Sequence, residues 1–305
     1  MKALVTGAAG FIGSNVVKIL EDRGAETFIL DDFSYANFRN LEGTKGEVIC
    51  ADIVDGNIFN KLPKVDAIIH EAAITDTTLR DDKKMITVNY NGFRNVFNFC
   101  AGKKIKLVYI SSAGVYGDGP SPMKETQKLR PLNAYAYSKY LCDCYASRYM
   151  AKKNLPLIVG IRYFNIYGPG EYHKGSAASM IYQLYLQMKE GKRPRVFKHG
   201  QQKRDFIYVK DVARLTVEAL DLKKNLIVNV GTGKARSFND IIAALNNAMG
   251  KNLKPDYFDN PFTGVYQDFT EADSSLLKKN FKTPPQFSLE EGILDYVENY
   301  LSLVV

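Results

Sequence analysis

Three side chains in this sequence could move a proton together. Ser112 lies in the run Ser111-Ser112-Ala113-Gly114-Val115-Tyr116-Gly117, and Tyr135 and Lys139 stand four apart in Tyr135-Ala136-Tyr137-Ser138-Lys139. On a helix that spacing puts the phenol and the ammonium on one face. An ammonium so close favours the phenolate, which turns a tyrosine into an acid/base useful near neutral pH. Ser112 can hydrogen-bond the same substrate oxygen. Tyr137 is the competing phenol, but two residues from Lys139 it faces elsewhere. Alone, such a Tyr–Lys pair would be a structural coincidence; its place after a strand-end Ser and a Gly-rich turn gives it meaning.

That turn is Gly7-Ala8-Ala9-Gly10-Phe11-Ile12-Gly13, between an apolar strand and a helix-period segment. Gly7 allows the tight turn, Gly10 lets backbone approach a diphosphate, and Gly13 permits close helix–strand packing. The helix start supplies N–H groups and the positive dipole end for the anion. Asp31, eighteen residues after Gly13, ends the second strand, where it can accept from ribose hydroxyls. A dinucleotide cofactor is therefore expected. Asp31 favours NAD, whereas Arg39 could meet the 2′-phosphate of NADP, and both remain open. Asp52 reads either as a cap on the adenine pocket or as a plain helix cap. The small residues of His70-Glu71-Ala72-Ala73 would let the chain pass close to the cofactor.

The elements that must carry these groups alternate in type. Short apolar runs predict strands near 2–6, 26–31, 47–51, 66–70, 106–111 and 157–162, with helices near 11–22, 80–101 and 134–152. Helices between successive strands require right-handed crossovers and a doubly wound parallel sheet, a Rossmann-type α/β fold. Past Gly168-Pro169-Gly170 the alternation breaks. A helix near 176–190, a basic turn-rich stretch near 191–206, a strand near 226–230 and helices near 238–249 and 288–302 follow. We expect a dinucleotide-binding domain over 1–168 and a smaller substrate-binding lobe over 169–305, some of whose segments return to the first domain.

Composition narrows the class. The 305 residues are 46% hydrophobic and 24% charged, and no apolar run reaches the length of a membrane span. Met1 leads straight into a strand, leaving no room for a signal peptide, so a cytoplasmic protein is expected. Cys50, Cys100, Cys142 and Cys144 fit neither a zinc site nor a redox pair, and His70, His173 and His199 form no metal motif, so no metal is expected. The net charge of +8 is scattered rather than blocked, which argues against nucleic acid and suits a diphosphate ligand.

With these motifs in this order, the chain resembles the extended short-chain dehydrogenase/reductase family, and the likeness covers almost its whole length. The resemblance implies NAD or NADP held tightly and recycled, a nucleotide-sugar substrate, and a homo-oligomer. It makes Tyr135 the acid/base, Lys139 the group that holds the nicotinamide ribose, and Ser112 the group that orients the reacting hydroxyl. It extends the cofactor set to Asp32, Ile53, Asn89 and Ile166.

Within the family, four segments resemble the branch that epimerises C6 of ADP-activated glycero-manno-heptose. They are His70-Glu71-Ala72-Ala73-Ile74-Thr75-Asp76-Thr77-Thr78, the stretch Arg162 to Pro169 continuing through Glu171 to Ser176, Lys203 to Val209, and Tyr266 to Asp273. By this likeness Thr75, Asn165, Ser176, Gln183, Phe197, Arg204 and Tyr266 face substrate, and Lys174 is a second acid/base. A nucleotide diphosphate calls for a guanidinium fork such as Arg204. Three positions depart from the branch: Lys198-His199 replaces a more acidic pair, Gln183 stands where a histidine is usual, and Asp32 where an asparagine is common. A 4,6-dehydratase would carry an acidic residue where Ala113 and Gly114 stand. A UDP-glucose/UDP-galactose-type 4-epimerase is the alternative, since it needs Ser112, Tyr135 and Lys139 but not Lys174. A non-catalytic NAD(P) sensor would have no use for that trio.

Overall fold

In a computed structural model, residues 1–77, 79–152, 155–259 and 269–303 are described. Seven strands make the central sheet: β1 (Lys2–Thr6), β2 (Glu26–Asp31), β3 (Glu47–Cys50), β4 (Ala67–His70), β5 (Lys106–Ser112), β6 (Ile158–Tyr163) and β10 (Leu226–Val230). They lie in the order β3-β2-β1-β4-β5-β6-β10, and every neighbouring pair is parallel. Parallel strands need both faces covered, and the apolar runs supply both. Ala3, Val5, Ile29, Ala67, Ile69, Val108 and Ile161 pack one way, against Val16, Val17 and Leu20 of the helix Phe11–Asp22 and Val212 to Val217 of the helix Val209–Glu218. Leu4, Leu30, Ile68, Leu107 and Tyr109 point the other way. They meet Phe93, Val96 and Phe97 of the helix Gly92–Lys103 and Cys142 and Ala146 of the helix Ala134–Met150. This is the expected Rossmann-type doubly wound fold.

Several segments differ from the expectation, among them the turn-rich stretch near 191–206, which holds the strand Arg195–Phe197 and most of the strand Lys203–Tyr208, and the unexpected helix Ser275–Asn280. The helix expected over 80–101 is three pieces: Asp82–Ile86, a wider π-type turn over Thr87–Asn91, and Gly92–Lys103. The helix Val209–Glu218 was not anticipated; its Val209, Val212, Thr216 and Val217 are β-branched and weak helix formers. Docking of its apolar stripe on the sheet and on the helix Phe11–Asp22 outweighs that local preference.

The later chain builds over the carboxyl ends of the strands. β7 (Asn165–Tyr167), β9 (Lys203–Tyr208), β11 (Ala235–Ser237) and β13 (Phe269–Thr270) form a second sheet, and β8 (Arg195–Phe197) pairs with β12 (Asp256–Phe258). A separate apolar core fills this region, with Ile181, Leu184, Met188, Phe206, Phe238, Ile241, Ile293 and Tyr296. One residue, the buried Phe164, separates β6 from β7, and its N–H donates to the Val230 carbonyl at 3.1 Å. Among the described residues no helix is long and apolar enough to cross a membrane.

Candidate active site

The Gly-rich turn is tight enough to require its glycines. Gly7 has φ of 66°, and a Cβ there would lie 2.5 Å from the Ala72 amide nitrogen. A Cβ on Gly13 would meet the Gly7 carbonyl oxygen at 2.2 Å, so β1 and the helix Phe11–Asp22 touch backbone to backbone. Gly10 is different: its hypothetical Cβ meets only the Gly7 oxygen, at 3.1 Å, and otherwise points into a cleft of 620 Å³. That cleft runs from Asp31, Asp32, Asn37, Asp52 and Ile53 past Gly7, Gly10, Phe11, Ile12 and Gly13. It continues to Glu71, Ala72, Ala73, Thr75 and Lys174. A groove of this length across the strand ends, with a helix N-terminus at its middle, fits a dinucleotide.

At the adenosine end Asp31 organises as well as lines. One carboxylate oxygen accepts from the Ala9 N–H and the other from the Phe33 N–H, both at 2.9 Å. The carboxylate therefore ties the Gly-rich turn to the loop after β2. Asp52 lines the cleft and accepts from the Val54 N–H in the turn after β3, whereas the cap of the next short helix, Gly56–Asn60, is Asp55. Arg39 is exposed in the short turn Phe38–Leu41 and is not among the lining residues. Lys84, which donates to the Tyr35 hydroxyl at 3.2 Å, is the cation that lines this end.

The proton-moving trio sits where β5 ends. Ser112 Oγ accepts from the Gly114 N–H at 3.1 Å, which leaves its own proton to donate outward. Asn133 caps the next helix by accepting from the Ala136 N–H at 2.8 Å, which fixes Tyr135 in its first turn. One turn on, buried Lys139 donates to the Ile110 carbonyl at 3.0 Å and lies 6.0 Å from the centroid of the Tyr135 ring. Tyr135 lines a second hollow, with Thr77, Arg80 and Asn133; the segment that bears Thr75, Asp76 and Thr77 walls both spaces. Asn89, expected at the cofactor, is instead a brace. Its side chain exchanges hydrogen bonds with both backbone groups of Ile74 and donates to Ser138 Oγ at 3.0 Å. The π-type turn places it to reach both the loop after β4 and the Tyr135 helix.

Lys174 also lines the cleft. Its ammonium lies 5.6 Å from the Phe11 ring centroid. Burial lowers it from the usual lysine range, and the neighbouring Glu171 carboxyl offsets this only in part. Glu171 is fully buried and accepts from the Gly168 N–H and the Ser179 hydroxyl at 3.0 Å each, and from the Ser179 N–H. It clamps both ends of the segment that carries Lys174.

The other expected substrate residues are dispersed. Asn165 accepts from the Thr270 hydroxyl at 3.5 Å. Arg204 is buried on β9 and donates to the Lys203 carbonyl. Phe197 packs on Phe258, ring centroids 4.9 Å apart, and Ile166 packs between the two cores. Ser176 is exposed, and Gln183 donates to the Ser176 and Ala178 carbonyls, spending its amide on the start of its own helix. Tyr266 lies outside the described residues. Two buried groups went unnoticed in the sequence. Asp205 accepts from Thr232, Gly233 and Ala272, and so joins β9 to two later loops. Asp143 accepts from Tyr109, Ser111 and, at 2.9 Å, the Arg162 guanidinium. Arg162 in turn donates to Tyr116, which donates to Asn229.

The model of the family described as "NAD dependent epimerase/dehydratase family" matches residues 3–231, which include the Gly-rich turn, Ser112, Tyr135 and Lys139. The chain belongs to that family. The epimerase is similar in structure to Helicobacter pylori ADP-L-glycero-D-manno-heptose-6-epimerase, at 36% identity and a TM-score of 0.92, over 99% of this chain and 96% of the other. UDP-N-acetylglucosamine 4-epimerase from Methanobrevibacter ruminantium is similar at 27% identity and a TM-score of 0.91, over 99% and 98% of the two chains. UDP-glucose 4-epimerase from Thermotoga maritima is similar at 26% identity and a TM-score of 0.91, over the full length of both. The protein is thus an NAD-dependent enzyme of the isomerase class, in a family that works on sugar nucleotides.

Proposed function

We propose that this epimerase inverts a carbinol carbon of a nucleotide-activated sugar, with ADP-glycero-manno-heptose as substrate and C6 as the centre. The observation that carries this reading is Lys174, a half-buried amine on the cleft wall, in addition to the Ser112–Tyr135–Lys139 group. NAD, when bound, supplies reversible oxidation, so that the alcohol can pass through a ketone and return as its epimer. The turn Gly7 to Gly13 holds the diphosphate, and Asp31 and Asp52 stand at the adenosine end. Ser112 donates its free proton to the reacting oxygen, and Tyr135 takes or returns the hydroxyl proton. Lys139 anchors the phenol's surroundings from the Ile110 carbonyl. The epimers present their oxygen on different sides, so a second proton carrier is useful, and burial moves Lys174 toward the range where it can act as one. Residues 1–168 then serve the cofactor and 169–305 mainly the substrate, with Asn165, Ser176, Arg204 and Tyr266 toward the sugar nucleotide. The same reading makes the protein a cytoplasmic homo-oligomer.

The test is turnover of ADP-heptoses against UDP- and GDP-hexoses, with product stereochemistry, for the parent and for Lys174→Met. The reading expects ADP-heptose to be preferred and Lys174→Met to lose about a hundredfold or more in turnover while retaining NAD. Near-parent turnover in the variant would remove the second acid/base. Preference for a UDP-hexose would put the 4-epimerase reading ahead, which the two similar UDP-sugar 4-epimerases favour. No deuterium from the solvent should enter the inverted carbon in either case.

A further inference from the structure

Beneath the middle of the cleft, four oxygen atoms form a chain whose protons can be counted. Glu71 Oε1 lies 2.9 Å from the Tyr163 hydroxyl oxygen, that oxygen lies 2.6 Å from Thr216 Oγ1, and Thr216 Oγ1 lies 2.7 Å from the Val212 carbonyl oxygen. All three separations are hydrogen-bond distances, so three protons are needed. Tyr163 and Thr216 have one each, and the Val212 carbonyl has none to give. With Glu71 ionised, Tyr163 must donate to it, and the single Thr216 proton can serve only one of its two contacts, so either the 2.6 Å approach to Tyr163 or the 2.7 Å approach to Val212 holds no proton. With Glu71 protonated, the acid donates to Tyr163, Tyr163 to Thr216 and Thr216 to Val212. Every contact is then made.

We propose that Glu71 is a neutral carboxylic acid that positions the dinucleotide, its carboxyl facing the cleft as an uncharged hydrogen-bonding wall beside the diphosphate. Glu71 lines the cleft together with Gly7, Gly10 and Ile12, where the diphosphate crosses, and a second anion there would repel it. The groups that bear on it agree. Burial, more than anything, raises the carboxyl to about 8, against the lowering effects of the Tyr163 hydrogen bond and of Lys139. His70, next to it on β4, is paired to the Thr6 hydroxyl at 2.8 Å. It is kept neutral by burial and then by Lys139, at about 3, so it adds no cation to hold a carboxylate. Lys139, from the helix Ala134–Met150, is the charged group acting on Glu71, and its ammonium is already engaged with the Ile110 carbonyl. The consequence is a pH-dependent grip: raising the pH ionises Glu71, breaks the proton chain and sets a negative charge beside the diphosphate.

The inference rests on the dinucleotide reading of the cleft and not on the identity of the sugar. Its test is calorimetric titration of the full chain, freed of cofactor, with NAD⁺, NADH and ADP-ribose from about pH 6.5 to about pH 9.5. For the parent, the dissociation constants of all three should rise about tenfold across the upper half of that range. Glu71→Gln mimics the protonated acid and should bind all three at the parent's acid-side affinity, with no such rise. Weaker binding by Glu71→Gln on the acid side, equal pH slopes in the two proteins, or a parent affinity for NAD⁺ that strengthens with pH would each overturn the proposal. Should Glu71→Gln fail to fold, infrared spectra of the parent carrying isotopically labelled glutamate decide. A protonated-carboxyl carbonyl band at about pH 7 that is lost above about pH 9 supports it, and no such band at about pH 7 refutes it.

Discussion

Glu71→Gln should make the protein more stable, and by an amount that depends on pH. The carboxyl sits at about 8 in the folded protein against 4.5 as the ordinary value. The sign follows from proton counting: between those two values the native state holds a proton that the unfolded chain has lost, so stability falls as pH rises from 4.5 to 8 and is level above. At about pH 6 the cost is about 2 kcal/mol, and at about pH 8 it approaches 5 kcal/mol, taking 1.36 kcal/mol per unit. Water in the open cleft will relax part of this, so both figures are ceilings, and a gain about half as large is expected. Glutamine keeps the shape and a donor for Tyr163 but never ionises. Urea unfolding of parent and variant at about pH 6, 8 and 9 should give curves that diverge between the first two values and run parallel between the last two. A variant less stable than the parent at about pH 8, or a difference that does not change with pH, would refute the reasoning.

Tyr135→Phe should fold and bind NAD normally, yet lose about a hundredfold or more in turnover, which single-turnover kinetics with bound cofactor will check. Gly13→Ala puts a Cβ at 2.2 Å from the Gly7 carbonyl oxygen, so either the turn opens or the helix moves. NAD affinity measured by calorimetry should fall by about tenfold or more. Asp143→Ala leaves the Arg162 guanidinium buried without its ion-pair partner and should cost about 3–5 kcal/mol in urea unfolding. A loss below about 1 kcal/mol would show that Tyr116 and the Glu125 carbonyl satisfy Arg162 on their own.

The sheet and the dinucleotide cleft were legible because each rests on local pattern. The apolar runs of β1, β2 and β4 to β6 fall within a residue or two of their expected places, and Gly7, Gly10 and Gly13 are required by contacts inside a single turn. What stayed hidden depends on groups far apart in sequence. Val209–Glu218 is a helix only because the sheet is there to receive it. Asn89 binds Ile74 and Ser138, fifteen and forty-nine positions away, so its type alone suited a cofactor ligand equally well. Gln183 falls at a substrate contact only by resemblance, and the loop folds back and takes its amide protons. Arg39 and Lys84 are both cations near the second strand's end in space, but only the fold reveals which one lines the cleft. Asp143 and Asp205 look like ordinary surface carboxylates until β5, β6 and β9 enclose them.

The junction at Phe164 sets the mechanics of the molecule. With β6 ending at Tyr163 and β7 starting at Asn165, the strand that ends beside Ser112 continues into the second sheet through one residue, itself buried and hydrogen-bonded to β10. A swinging domain needs a few exposed residues free to absorb large backbone rotations, and this crossing has none. The two sheets are therefore yoked like the two arms of one lever, and the aperture over the cleft cannot widen there by rigid-body rocking. A sugar nucleotide that enters the cleft therefore gains no opening motion from this crossing. Turnover should accordingly be little changed by any stiffening of the chain at Phe164.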